Sequence, residues 1–574
     1  MKTLPRVDVA IVGGGWAGLL MAKELGARTG LSVVVLERGA PRKTADYFDG
    51  MDELDYAIRL RMMQDASQET VTFRHTSKDK ALPVRQLASF LPGTGVGGAG
   101  EHWNGATPRI LPDCFEIHTR TVERYGAAKL PANHSIQDWG ITYAELEPYY
   151  TRAERLLGIS GKTGLDPFEG PHSAEYPTPA QKMGHFPSLF RDAARSLGYH
   201  PFPSPSANLS QAYRNPDGIT RPACQYCGFC ERFGCMVGAK AQPTNTLMPV
   251  IARQKNVTVR TGANVRRVLY KDGKATGVSY VDSQGEEIVQ PADLVILASW
   301  TLNNTRLLLL SKIGEAYNAA SGKGQVGRNF THQTNSRGVV MFFDRPLNRF
   351  MGSGACGIAI RDLDGDCFDH GPLDFIRGAY IAAWSRGYPP IGSFGAVPPS
   401  VKAAWGSEWK KAAIDAFDCT ANLGISGEHL AYRTNYLDLD PVYRDSHGDP
   451  LLRMTMDWND NERNMIAFVS AKMAQVGREM GAREMVTPPL PRRYDVNTYR
   501  STHLQGGTIM GANPGNSVVN SWLQHWQISN LFVLGASTFP QNASGNPTLT
   551  ILAQTLRTAD AIVDRYLKRP GLLA

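Results

Sequence analysis

Four of the eight cysteines stand close together in the chain, with the spacing C-x2-C-x2-C-x4-C. They are Cys224, Cys227, Cys230 and Cys235. Thiolates at this spacing can converge on one metal centre, and basic residues nearby favour thiolate over thiol. Those basic residues are Arg221, Arg232 and Lys240. The spacing therefore favours an iron–sulfur cluster, with a structural zinc site and a group of ordinary thiols as alternatives.

A glycine-rich turn near the N-terminus indicates a second kind of chemistry. The turn Gly13-Gly14-Gly15-Trp16-Ala17-Gly18 follows the apolar strand Val7–Val12 and precedes a helical pattern. A second apolar strand, 31–36, ends at Glu37. In such a unit the glycines permit the turn and the approach of a pyrophosphate, and the acid accepts hydrogen bonds from a ribose. This pattern predicts dinucleotide binding without separating FAD from NAD, and a glycine turn in an unrelated α/β unit is the alternative.

Two further segments contain residue types suited to a bound flat ligand and to proton transfer. Residues 93–105 are rich in glycine and include His102, Trp103 and Asn104, so main chain can pass close to a ligand there. The alternative is a flexible surface loop. Near the C-terminus, His503 precedes a glycine pair, and Asn546-Pro547 opens a helical pattern. Taken alone, these two would be a core histidine and a helix cap.

The motifs, in this order, resemble those of the glucose–methanol–choline (GMC) oxidoreductase family. The resemblance runs through nearly the whole chain and includes 295–299, 304–309 and 326–330. Within the family the chain is most similar to the flavoprotein subunits of bacterial gluconate 2-dehydrogenases and related sugar dehydrogenases. Residues 91–100 and 226–235 carry this closer resemblance.

The resemblance implies that FAD is the cofactor and that a hydroxyl-bearing carbon gives a hydride to the flavin N5. It assigns His503 as the base that takes the hydroxyl proton, a role suited to a neutral imidazole. It assigns Asn546 to hold the substrate hydroxyl. The predicted cofactor-binding residues are Gly13, Gly15, Gly18, Glu37, Gly97, Gly98, His102, Trp103, Asn104, Val265, Gly535, Ala536 and Thr548.

Two details of the cofactors are left open at this point. The segment from Gly97 to His102 is similar to the pyranose oxidase segment whose histidine carries covalent FAD, but Glu101 departs from that pattern. Both a covalent bond at His102 and simple packing beside the flavin are compatible with it. The resemblance also implies a 3Fe-4S cluster, which uses three thiolates where this chain offers four. The spare cysteine, or a 4Fe-4S cluster instead, is undecided.

The resemblance implies an α/β fold with a Rossmann-like FAD-binding domain made of several chain segments and a second α+β substrate domain. We assign residues 1–110, 200–335 and 496–574 to the FAD-binding domain, which includes the cysteine cluster at 224–235. Residues 111–199 and 336–495 form the substrate domain and connecting segments. The second range contains no cofactor motif.

Bulk properties narrow the classes of partner and the location. The net charge of +8 comes from 61 basic and 53 acidic residues spread along the chain, which argues against nucleic-acid binding. No run reaches the roughly 20 apolar residues that span a bilayer, and Met1 to Arg6 lead directly into a strand with no room for a cleavable signal. We therefore expect membrane association only through a partner. The expected location is the periplasm if a partner subunit supplies export, and the cytoplasm otherwise.

The resulting hypothesis is an FAD-dependent dehydrogenase that oxidises a secondary alcohol of a sugar or sugar acid, with a gluconate-like substrate favoured. Electrons would leave through the iron–sulfur cluster to a cytochrome or quinone. The resemblance implies a cytochrome c subunit and a small export or chaperone subunit as partners. The alternatives are a glucoside 3-dehydrogenase, an oxygen-using sugar oxidase of the pyranose type, and a non-catalytic redox-sensing flavoprotein subunit.

Overall fold

The computed structural model describes residues 2–43, 46, 66–85, 90, 92–349, 351–386, 396–496 and 501–573. Leu91, the first residue of the segment 91–100 that carries the closer resemblance, lies outside these ranges. The strands are β1 (Lys2–Thr3), β2 (Val7–Val12), β3 (Val33–Leu36), β4 (Val71–Arg74), β5 (Leu82–Pro83), β6 (Ser160–Gly161), β7 (Thr178–Pro179), β8 (Phe202–Pro203), β9 (Tyr213–Arg214), β10 (Thr220–Arg221), β11 (Val257–Arg260), β12 (Asn264–Lys271), β13 (Lys274–Val281), β14 (Glu287–Leu297), β15 (Thr331–His332), β16 (Thr334–Phe342), β17 (Gly352–Ile360), β18 (Ala379–Arg386), β19 (Thr420–Gly427), β20 (Tyr436–Arg444), β21 (Pro450–Thr455), β22 (Glu484–Val486), β23 (Leu504–Gln505) and β24 (Leu531–Val533). The helices are α1 (Trp16–Arg28), α2 (Ile117–Tyr125), α3 (Tyr143–Leu157), α4 (His185–Ser196), α5 (Pro243–Thr246), α6 (Met248–Ile251), α7 (Thr301–Leu310), α8 (Gly406–Ala416), α9 (Asp460–Glu479) and α10 (Thr548–Ala561).

The first sheet is built around parallel strands that carry continuous apolar runs. Its order is β11-β3-β2-β14-β13-β12, and β1 and β24 also pair with β14. Strands β11, β3, β2, β14 and β24 are parallel neighbours, whereas β12, β13 and β14 run antiparallel. Helix α1 packs against β3 and α10, and every residue of β3 and β24 is buried, as expected for parallel strands covered on both faces. This arrangement confirms the predicted α/β class with a Rossmann-like unit.

The second sheet is antiparallel and has the order β22-β16-β19-β18-β17-β8. Helices α4 and α9 contact this sheet and share its apolar core, which is separate from the core of the first sheet. Strand β8 pairs with β17 in this sheet, although its residues fall in the range 200–335 assigned to the FAD-binding domain. The domain boundaries themselves stay a prediction.

Several helices and strands begin or end at the residues that the sequence pattern predicts. Strand β2 spans Val7–Val12, and α3 begins at Tyr143 with a capping box between Thr142 and Glu145. The predicted turn at 271–273 lies between β12 and β13. Within the described residues, no helix is long and apolar enough to cross a bilayer.

Candidate active site

A cavity of about 1050 Å³ lies where the carboxyl ends of β2, β3, β14 and β24 meet. Ligands bind at this edge in open α/β sheets. Most of the predicted site residues line it: Gly13, Gly15, Glu37, Gly97, Gly98, His102, Trp103, Asn104, Val265, His503, Gly535, Ala536, Asn546 and Thr548. Gly18 and the four clustered cysteines do not line it.

The three glycines of the N-terminal turn have different surroundings. Gly13 has a φ of +104°, and a Cβ there would lie 2.5 Å from the Ala298 carbonyl oxygen. A Cβ on Gly18 would lie 2.0 Å from the Gly13 carbonyl oxygen, so Gly18 serves the packing of α1 under the turn. No atom lies within 4 Å of the Cβ position of Gly15. The open space above Gly15, at the N-terminus of α1, fits a pyrophosphate held by backbone N–H groups.

The Glu37 carboxylate joins the first glycine turn to the second. Its Oε2 accepts a hydrogen bond from the Gly14 N–H at 2.8 Å. Its Oε1 accepts hydrogen bonds from the N–H groups of Gly39 at 2.8 Å and Gly95 at 3.3 Å. Glu37 therefore organises the cavity wall that it also lines.

Glu101, which departs from the pyranose oxidase pattern, has a structural role. Its buried carboxylate accepts hydrogen bonds from the Gln242 side chain at 2.8 Å and from the Thr244 N–H and hydroxyl at 3.0 and 2.7 Å. Burial raises the pKa of Glu101 to about 7, although these hydrogen bonds oppose the shift. The contacts fix the turn that presents His102 to the cavity.

His102 is buried, and its Nε2 has no hydrogen-bond partner among the described residues. Burial lowers the pKa of His102 to about 4, with a further contribution from the positive charge of Lys240. The ring is therefore neutral near pH 7. A neutral, unpartnered ring nitrogen on the cavity wall is compatible with a flavin packed beside it or attached to it.

His503 and Asn546 come together although 43 residues separate them in the chain. The Asn546 Nδ2 lies 3.2 Å from the His503 Nε2, and both side chains line the cavity. On the other side of the ring, the His503 Nδ1 is hydrogen-bonded to the Gln333 Oε1. Burial lowers the pKa of His503 to about 4, and the nearby Glu231 carboxylate partly opposes this shift. The imidazole is neutral near pH 7, as a general base must be.

The second sheet supplies the opposite wall of the cavity. Asn335 on β16, Asn422 and Ser426 on β19, and Trp384 on β18 line it. The Ser426 hydroxyl donates to the Asn335 Oδ1 at 3.0 Å, and the Asn335 Nδ2 donates to the Ser501 hydroxyl at 2.9 Å. We call the side chains of Asn335, Asn422, Ser426 and Ser501 the polar wall. It lies in the same cavity as the pair of His503 and Asn546.

The four clustered cysteines stay neighbours in the fold, because the Cys230 thiol interacts electrostatically with the thiols of Cys224 and Cys235, and the Cys224 thiol with that of Cys227. The Cys224 Sγ accepts from the Tyr226 N–H at 3.4 Å, and the Cys235 Sγ accepts from the Lys240 N–H at 3.3 Å. Cys230 is buried and Cys227 is exposed. Within the described part of the chain, no three His, Cys, Asp or Glu side chains are arranged to hold a metal ion. The assignment of the four cysteines as metal ligands stays a prediction.

Lys240 connects the cysteine segment to the cavity wall. This fully buried ammonium group donates hydrogen bonds to the carbonyl oxygens of Trp103, Cys230 and Phe233 at 2.7, 2.8 and 2.7 Å. Burial lowers the pKa of Lys240, while the neighbouring cysteines and Glu101 oppose the shift. The segment 230–233 is thus attached to the part of the glycine loop that faces the cavity.

Sequence reasoning missed Gln333 and the polar wall. The resemblance motif at 326–330 ends three residues before Gln333, and the polar run His332-Gln333-Thr334-Asn335 that follows was the available signal. Apart from Asn335, the polar wall gave no local signal, since its members come from segments that are far apart in sequence.

Two family models described as GMC oxidoreductase match the chain, at residues 137–335 and 431–555. The gluconate 2-dehydrogenase flavoprotein of Pantoea cypripedii is 42% identical over 99% of this chain and 95% of its own length. The fructose dehydrogenase large subunit of Gluconobacter japonicus is 27% identical over 97% of this chain and 98% of its own length.

A solved structure of similar fold is pyridoxine 4-oxidase from Mesorbium loti, with a TM-score of 0.63, 16% identity, and coverage of 98% of this chain and 100% of that one. This likeness concerns the fold alone. Gly13, Gly15 and His503 line the same cavity, as this family requires. The family matches and the full-length relative identify the chain as a member of the GMC oxidoreductase family and as an FAD-dependent oxidoreductase that acts on CH–OH donors.

Proposed function

We propose that this protein is a dehydrogenase that oxidises a secondary alcohol of a sugar or sugar acid, with gluconate favoured. The proposal rests on the neutral His503 imidazole, whose Nε2 lies 3.2 Å from the Asn546 Nδ2. Both side chains line the cavity that the glycine turn at 13–15 also lines. The relative that is 42% identical is named for gluconate oxidation at carbon 2, which supports this substrate.

The side chains suggest how the proton of the hydroxyl is handled. The His503 Nε2 accepts this proton, and the Asn546 amide nitrogen donates a hydrogen bond to the substrate oxygen. Both groups stay uncharged before the reaction, so burying them with the substrate costs little. FAD, held by the turn at 13–18, the loop at 93–105 and the segment at 535–536, supplies the hydride acceptor when bound. The polar wall offers donors and acceptors for the other hydroxyl groups of a sugar.

Flavin reduction without oxygen tests both the base and the substrate. The protein with bound FAD is mixed anaerobically with gluconate, glucose, fructose or a methyl glucoside, and the bleaching of the flavin is followed. We expect rapid bleaching with gluconate, and slowing by at least about 100-fold in His503→Ala. Bleaching of that variant at the normal rate would contradict the role of His503. Preference for the glucoside at carbon 3, or peroxide formation with dioxygen as sole acceptor, would favour the corresponding alternative enzyme.

Covalent attachment of FAD at His102 is part of the proposal, supported by the unpartnered Nε2 on the cavity wall. Acid precipitation separates the two possibilities, since only covalent flavin stays with the precipitated protein. We expect yellow, fluorescent precipitate from the normal protein and a colourless one from His102→Ala. Free flavin in the supernatant of the normal protein would rule out the bond.

We also propose that electrons leave to a cytochrome c subunit and that a small partner subunit carries the complex to the periplasm. One relative is named as a large subunit, which supports a multisubunit assembly. Co-expression with candidate partner subunits, followed by purification from the periplasm, tests this. Recovery of active enzyme from the cytoplasm in the presence of those subunits would overturn the periplasmic location.

We propose an iron–sulfur cluster from the cysteine spacing and, from the family resemblance, 3Fe-4S in preference to 4Fe-4S; no electron-transfer step is derived through it. Iron and acid-labile sulfide are measured against FAD in protein purified without oxygen. We expect about three irons per FAD. The double variant Cys224→Ser with Cys230→Ser should lose this iron, whereas Cys419→Ser, outside the cluster, should keep it. Iron-free protein with full FAD content would exclude the cluster.

A further inference from the structure

We propose that Gln333 is a positioning residue that sets which ring nitrogen of His503 faces the substrate. This inference rests on the proposed role of His503 as the base. Gln333 lies between β15 and β16 and is completely buried. Its side chain stands between the ring of His503 and the chain segment that leads to Asn546.

The surroundings of Gln333 define the direction of its amide. The Nε2 donates hydrogen bonds to the carbonyl oxygens of Ala543 and Ser544 at 2.9 and 2.5 Å, and the Gly545 carbonyl oxygen lies at 3.4 Å. Carbonyl oxygens only accept hydrogen bonds, so the nitrogen end of the amide must face them. A flipped amide would bring its oxygen against these acceptors. The Oε1 therefore faces the His503 Nδ1.

The direction of the amide determines the tautomer of His503. Since the Oε1 only accepts, the His503 Nδ1 must carry the hydrogen. In a neutral ring the Nε2 then carries the lone pair, which accepts from the Asn546 amide and lies on the cavity side of the ring. The opposite tautomer would point a lone pair at the Gln333 oxygen and an N–H at the Asn546 amide nitrogen. Gln333 thus presents the base in the state that can accept a proton.

The Gln333 side chain also links His503 to the segment that carries Asn546. The carbonyl groups that Gln333 binds belong to residues 543–545, directly before Asn546. One amide therefore holds both the ring of His503 and the backbone that carries Asn546. Loss of Gln333 should affect the reaction of bound substrate more than substrate binding itself.

The test compares two substitutions at Gln333 with a matched control. Gln333→Met keeps the side-chain length but cannot accept the Nδ1 hydrogen. Gln333→Glu keeps an acceptor and adds a negative charge that stabilises the protonated ring. Gln524→Met is the control, because the buried Gln524 amide also donates to two carbonyl oxygens, of Ser529 and Gly571, and does not touch His503.

Anaerobic flavin reduction is measured against pH for each variant that carries full FAD. We expect Gln333→Met to reduce the flavin at least about tenfold more slowly at saturating substrate, with substrate affinity changed less than threefold. In Gln333→Glu the inflection of the pH profile should move upward by about one unit or more. Gln524→Met should keep the normal rate and profile.

The outcomes separate this inference from the proposed function. Normal rates and profiles in both Gln333 variants, with His503→Ala slow, would overturn the inference alone. A normal rate in His503→Ala would overturn the proposed base and the inference together. If both Gln333 variants fail to fold while Gln524→Met folds, Gln333 is a structural residue and the positioning role is rejected.

Discussion

The Asn546 amide nitrogen lies 3.2 Å from the His503 Nε2, on the cavity side of a ring whose other nitrogen is hydrogen-bonded to Gln333. Each of the three residues comes from a different chain segment, yet their donors and acceptors match. The ring has one nitrogen held by the protein and one directed to the cavity.

Asn546→Asp should slow flavin reduction and move its pH dependence upward. A carboxylate beside the His503 Nε2 stabilises the protonated ring, which cannot accept the substrate proton. Asn546→Ala should slow the reaction about 10- to 100-fold, because one hydrogen bond to the substrate oxygen is lost. Stopped-flow flavin reduction measures both. Asn303→Ala, elsewhere on the cavity wall, is the control, and equal slowing there would argue against a specific role of Asn546.

The pH profile of the normal enzyme should reflect the lowered pKa of His503. The base works when it is neutral, and its pKa is about 4 because the ring is buried. The rate of flavin reduction should therefore be constant from about pH 8 to 5 and fall as pH drops through about 4. Rapid pH-jump mixing, which limits acid damage, provides the measurement. A fall in rate already between pH 7 and 6 would show that His503 titrates like an exposed histidine.

Gly15→Ala should fold normally but bind FAD weakly. A Cβ at this position meets no protein atom within 4 Å, so only the ligand would be crowded. Gly30→Ala is the matched control, since its Cβ also meets nothing and it lies outside the cavity lining. FAD content after gel filtration and the melting temperature of the apoprotein measure the two effects. Full FAD retention by Gly15→Ala would place the pyrophosphate elsewhere.

Glu37→Gln should destabilise the protein by about 2 kcal/mol and reduce FAD retention. The carboxylate accepts hydrogen bonds from three backbone N–H groups. The amide nitrogen of a glutamine only donates, so at least one of these N–H groups would lose its acceptor. Urea unfolding of the apoprotein measures the stability. Glu286→Gln, on an exposed turn, should change neither property. Unchanged stability of Glu37→Gln would mean that the two glycine segments hold their positions without the carboxylate.

The amino-acid sequence alone determined the elements whose signals are local. Strand β2, the turn after it and the start of α3 are specified by neighbouring residues, through apolar runs, glycines and a capping box. FAD as cofactor, His503 as base and Asn546 beside it follow from the resemblance of several such motifs, in order, to those of the family. Their common cavity follows from parallel strands, because the carboxyl ends of such strands meet at one edge of the sheet.

Only the tertiary structure decided which distant groups meet. The polar run at 332–335 did not indicate that Gln333 is a partner of His503, because a hydrogen bond across 170 residues depends on the pairing of β15 with β23. The polar wall likewise exists only after β16, β18 and β19 have paired. The cysteine spacing predicts a metal centre, and the fold keeps the Cys230 thiol close enough to those of Cys224 and Cys235 for electrostatic interaction. Spacing along the chain sets how close side chains can come, but the backbone path and the neighbouring elements set the directions in which they point.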